Sequence, residues 1–106
     1  MNDSVFDEFY RAVVTAFGNK FTLIAGTDPL RGDYIIRIHE SGVRASHLTP
    51  ALVVRLTEDS QDDLAGLHPE VRDDAIKKRC RVVSAHWDAR LELPYDGVIR
   101  GTEVSV

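Results

Sequence analysis

The chain has 106 residues, 43% of them apolar and 28% charged, a balance that excludes a collagen-like or disordered chain and, with one cysteine, a disulfide framework. A chain of this length removes roughly two-thirds of its unfolded surface from water, enough for one core and not for two, so a single domain over 1–106 is expected. Thirteen Lys and Arg against seventeen Asp and Glu give a net charge of −4, which disfavours a dedicated nucleic-acid binder, since such domains need surplus cations.

Asn2, Asp3 or Ser4 can cap a first helix from Val5 to about Phe17, in which Val5, Phe6, Phe9, Val13, Ala16 and Phe17 form one apolar stripe and Gly18 ends the run. Asp7 and Arg11 are spaced for an i, i+4 ion pair on its wet face. Phe21 to Ala25 alternates as a strand does, and Thr27-Asp28-Pro29-Leu30-Arg31-Gly32-Asp33 is a loop by its turn residues. Tyr34 to Glu40, rich in isoleucine, is a second strand. Ser41-Gly42 then forms a two-residue turn into a third strand from Val43 to Leu48. That turn sets Glu40 opposite Val43, Ile38 opposite Ala45 and Ile36 opposite His47.

Thr49-Pro50 has the form of a helix start, with Ala51, Leu52, Val53 and Leu56 facing inward; the helix ends near Asp59 or runs on to Ala65, before Gly66. His68-Pro69 opens a longer helix reaching about Arg90, with Ile76, Cys80, Val83 and Trp87 as its inner stripe and Ala75 and Val82 in support. Pro94 and Asp96-Gly97 break the chain, and residues 94–106 are left as an edge strand or a loose tail. The order α-β-β-β-α-α, with that optional last strand, predicts an α+β fold: a small three-stranded antiparallel sheet with helices on one face.

Helix, three strands and helix is also the order of double-stranded-RNA-binding domains, so the residues that would carry that resemblance decide. Such domains begin the helix after the sheet with a lysine cluster; here Thr49-Pro50-Ala51-Leu52-Val53-Val54 precedes Arg55, the first cation, and the resemblance stops at element order. The run Lys77-Lys78-Arg79-Cys80-Arg81, with Arg72, is the one basic stripe. Asp73 and Asp74 stand four residues before Lys77 and Lys78, the orientation of ordinary surface ion pairs, and the stripe reads first as a solvated helix face.

Cys80 falls on the inner stripe of the last helix, which predicts a buried, inert thiol. His39, His47, His68 and His86 lack metal-ligand spacing, and no glycine-rich phosphate cradle is present, so neither metal nor cofactor is expected. No segment approaches the ~20 apolar residues of a membrane span, and MNDSVFDEF has acids where a signal peptide has cations. A reducing, cytoplasmic setting and no membrane partner are expected.

The second face of the sheet is the candidate site. Ile24, Ile35 and Leu48 are interleaved there with Arg37, His39 and Arg44, and apolar groups mixed with arginine on a rigid pleated surface suit a protein interface, a homodimer among the options. The alternative is an anion or small-ligand site, enzymatic or not, built on His39, Arg37 and Arg44. A weaker one is nucleic-acid binding through Arg72, Lys77, Lys78, Arg79 and Arg81.

Overall fold

Asn2 caps α1 (Asp3–Phe17) by accepting the Val5 amide on its side-chain oxygen at 3.1 Å, and Gly18, at φ +72°, closes the helix. The computed structural model describes residues 2–18, 21–40, 52–92 and 102–106. After α1 come β1 (Phe21–Asp28), β2 (Asp33–Glu40), β3 (Leu52–Leu56), α2 (Glu58–Ala65), α3 (Pro69–Glu92) and β4 (Thr102–Ser105). The fold is α+β. Its sheet has four strands in the order β1-β2-β3-β4, antiparallel except for the parallel β3–β4 pair.

Two expectations change. The segment expected to open a helix, Leu52 to Leu56, is β3, and the expected start at Thr49-Pro50 is replaced by Thr57, whose side chain accepts the Ser60 amide at 3.2 Å. Among the described residues of the expected helix, Glu58–Ala65 is the helical part, as α2. The cause lies in β2. Ile36, Arg37 and Ile38 pair with Ala25, Ile24 and Leu23 on one edge and with Val54, Val53 and Leu52 on the other. Both edges of β2 are thereby satisfied there, and the expected pairing of Ile36 to Ile38 with His47, Ser46 and Ala45 is replaced. The turn Ser41-Gly42 and the strand Val43–Leu48 lie outside the described residues. The second change is at the carboxyl end: β4 makes the sheet four-stranded and mixed, with a parallel pair that needs the α2–α3 connection as its crossover.

All three helices pack an apolar stripe on one face of this sheet. Val5, Phe6, Phe9 and Val13 of α1, Leu64 of α2 and Ile76, Cys80, Val83 and Trp87 of α3 join Tyr34, Ile36, Ile38, Leu52, Val54, Leu56 and Val104 in one cluster. Alternation along the strands explains the selection: residues two apart share a face, so Leu52, Val54 and Leu56 turn inward while Val53 and Arg55 turn away. Tyr34 stacks on Phe6 at 4.1 Å and donates its hydroxyl to Asp3, whereas Phe17, Phe21 and Trp87 meet edge to face at 4.9 to 5.7 Å. Ala16 and Val82, expected to face inward, are exposed.

Gln61 is the buried polar anchor of this layer. Its amide nitrogen donates to the carbonyls of Gly32 and Leu56 at 2.9 and 3.1 Å, and its oxygen accepts the Asn2 amide at 3.0 Å. It thus joins the β1–β2 turn, the end of β3 and the start of α1. The turn itself is tight: Leu30 N–H meets the Asp28 carboxylate, Gly32 N–H meets the Asp28 carbonyl at 2.9 Å, and Gly32 takes φ +72°, a conformation that glycine adopts without steric cost.

Candidate functional site

The register places Thr22, Ile24, Gly26 and Asp28 of β1 beside His39, Arg37, Ile35 and Asp33 of β2, all on the face turned away from the helices. Val53 and Arg55 of β3 continue two of these rows, Val53 beside Arg37 and Arg55 beside Ile35, and Glu103 and Ser105 of β4 complete them. No helix covers this face among the described residues, since every helix contributes to the opposite cluster.

Ile24, Ile35, Arg37 and His39 therefore share one side of the sheet, but their environments differ. Ile24 is 49% exposed and Arg37 is exposed, whereas Ile35 and His39 are each 7% exposed. Arg44 and Leu48 lie outside the described residues. An Arg37 Nη1 atom lies 3.2 Å from where a Cβ on Gly26 would stand, so its side chain reaches across to β1 over a residue that has none. Long cationic stems laid on a sheet in this way cover apolar neighbours, and Ile35 sits in the row between Gly26 and Arg55.

At the other end of the face the charges are already engaged. Arg55, 13% exposed at its side chain, donates through Nη1 to Asp28 at 2.9 Å and to Asp33 at 3.0 Å, and through Nε to Glu103 at 3.0 Å. Asp33 also accepts the Glu58 amide at 3.0 Å, so the same carboxylate holds the arginine and the first turn of α2. The guanidinium lowers the Asp28 carboxyl below the ordinary range through its hydrogen bond, while the three carboxylates push the arginine further up. This network is structural: three carboxylates already hold the cation. Asp28 and Asp33, expected in a loop, end β1 and begin β2; their spacing on either side of a four-residue turn is the signal that the two strands pair there.

The two alternatives fare differently from the face itself. An anion site would need His39 accessible beside Arg37, and His39 is buried. Along α3, Lys77 pairs with Asp73 at 2.9 Å, which raises its ammonium pKa, while Arg72 meets Glu8 at 2.9 Å and Arg79 donates to the Ala75 carbonyl. The expected Asp74–Lys78 and Asp7–Arg11 pairs do not occur among the described ion pairs, and the helix after β3 begins Glu58-Asp59, an acidic end that repels phosphate. Burial pushes the Cys80 thiol up, away from a reactive thiolate. Among the described residues no three His, Cys, Asp or Glu side chains are grouped to hold a metal ion, and no helix is long and apolar enough to cross a membrane.

Compared with protein-family models, with curated proteins and with solved structures, the chain matches none.

Proposed function

We propose that the chain is a cytoplasmic protein-interaction module that associates with a second copy of itself through β1 and the adjoining Ile24–Arg37 part of the helix-free face. The observation that carries this reading is the character of β1. It is eight residues long, pairs only with β2 among the described residues, and from Phe21 to Thr27 contains no charge and no proline. Edge strands are ordinarily blunted by lysine, proline or a bulge because their unpaired amides and carbonyls template another strand; β1 has none of these guards along that stretch.

A second copy is the occupant that fits. Two β1 strands related by a two-fold axis through Ile24 run antiparallel, with Ile24 meeting its own equivalent, Leu23 meeting Ala25 and Thr22 meeting Gly26, and no like charges oppose each other. Main-chain hydrogen bonds supply the attraction, and the half-exposed Ile24 gains a cover. The one cysteine of the chain, Cys80, is a free buried thiol, which suits a reducing compartment.

The substitution Ile24→Lys tests the reading. It sets a charge in the middle of the edge on an exposed site, so stability should move by no more than about 0.5 kcal/mol. Sedimentation equilibrium should show the parent chain associating and the variant weakened at least about tenfold, a cost of about 1.4 kcal/mol. Equal association of the two chains, with equal thermal midpoints, overturns the proposal.

A further inference from the structure

A second surface, on the far side of the helical layer, carries a groove between α1 and α3. The helices α1 and α3 run in the same direction: Glu8, partway along α1, meets Arg72 near the start of α3, and Phe17, the last residue of α1, meets Trp87 toward the end of α3. Between them lies a groove of about 570 Å³. Its α1 wall carries the small side chains of Ala12, Thr15 and Ala16, and its α3 wall includes Ile76 and Cys80, both buried. The volume falls within the range of small-molecule sites, and the floor is apolar.

The charges at the rim select the ligand. Its acids are occupied: Glu8 holds Arg72 at 2.9 Å and Asp73 holds Lys77 at 2.9 Å. Arg11 and Arg81 also line the groove, one from each helix, and neither has an acidic partner among the described residues. The uncompensated charge is therefore positive, in a chain whose net charge is −4. We propose that the α1–α3 groove binds a small aliphatic carboxylic acid as its anion, the tail on Ala12, Ala16, Ile76 and Cys80 and the carboxylate against Arg11 and Arg81. Guanidinium groups match a carboxylate with paired hydrogen bonds, and an apolar trough beneath them excludes inorganic anions that lack a tail. From Glu8 to Ala16 the wall is about 12 Å long at 1.5 Å per residue, which accommodates a tail of about ten carbons.

Isothermal titration calorimetry of the full chain should show saturable binding of decanoate. Acetate, which has the head without the tail, and decyltrimethylammonium, which has the tail with the opposite head, should give no saturable heat at equal concentration. Arg11→Gln with Arg81→Gln should weaken decanoate binding by about tenfold or more, and Ala16→Leu, which fills the trough without touching its charge, should abolish it. Arg11, Ala16 and Arg81 are exposed, so thermal midpoints serve as the control for folding. Absence of saturable decanoate binding, equal binding of decyltrimethylammonium, or unchanged binding in the arginine double variant with an intact fold overturns the proposal. Association through β1 is read separately and does not depend on any of these outcomes.

Discussion

Arg55→Met should destabilise the fold by about 3 kcal/mol, the low end of what breaking a buried ion pair costs. The arginine side chain is 13% exposed and that of Asp33 7%, so deleting the cation leaves Asp33 desolvated with its partner gone, retaining only the Glu58 amide. Asp28 and Glu103 are more exposed, at 23% and 49%, and water takes over much of what they lose, which holds the cost near the lower limit. Methionine keeps the stem that lies along the sheet, so the loss reports the charge and not the packing. Urea unfolding at neutral pH measures it, and a change below about 1 kcal/mol would mean that the network is solvated and idle.

The acid limb carries the same information with a definite sign. Asp28 has its folded pKa depressed below its unfolded value, chiefly by the Arg55 hydrogen bond. Its contribution is therefore complete above the ordinary aspartate range and is lost as pH falls through the depressed value. In Arg55→Met that dependence should shrink, the Leu30 and Arg31 amides still favouring the charged carboxylate, giving a flatter decline of stability below the ordinary aspartate pKa than in the parent chain.

Gln61→Ala should cost about 2–4 kcal/mol, for a different reason. Gln61 is 1% exposed and makes three hydrogen bonds to main-chain groups of three elements. Alanine removes all three and leaves the buried Leu56 carbonyl without that donor, while water can reach the partners at Gly32 and Asn2, which are half-buried. The thermal midpoint should fall by about 10–20 °C for a domain of this size. Gln61→Glu should be no better, because a carboxylate cannot donate to the Gly32 and Leu56 carbonyls. A midpoint unchanged in both variants would show that these elements are held together by apolar packing alone.

These two residues also mark where the sequence stops being informative. The stripes of α1 and of the last helix are local, period-3.6 patterns, and Val5, Phe6, Phe9 and Val13 with Ile76, Cys80, Val83 and Trp87 emerge in the core as the pattern requires. The face shared by Ile24, Arg37 and His39 is likewise legible, because alternation in β1 and β2 sorts the side chains before any pairing is known. Leu52 to Leu56 is different. Thr49-Pro50 carries a strong helix-start signal, and five residues are too few for the alternation of Leu52, Val54 and Leu56 to outweigh it; what makes the segment a strand is the open edge of β2, a contact that no local window contains. Gln61 sits in the acidic run Glu58 to Asp63 and reads as a wet residue. Its burial follows from where Asn2, Gly32 and Leu56 meet, which is a property of the assembled fold.

The β1 edge accounts for the proposed function, and amide hydrogen exchange across residues 21–28 at two protein concentrations addresses it directly. Every second amide of an edge strand points away from its neighbour and is protected only when another strand is added. If copies join through β1, those alternate amides are slow to exchange in concentrated solution and become fast on dilution, while the amides of β2, held on both sides between β1 and β3, stay slow throughout. Exchange rates along β1 that are the same at both concentrations, in a sample whose mass shows association, would place the contact elsewhere and contradict the account.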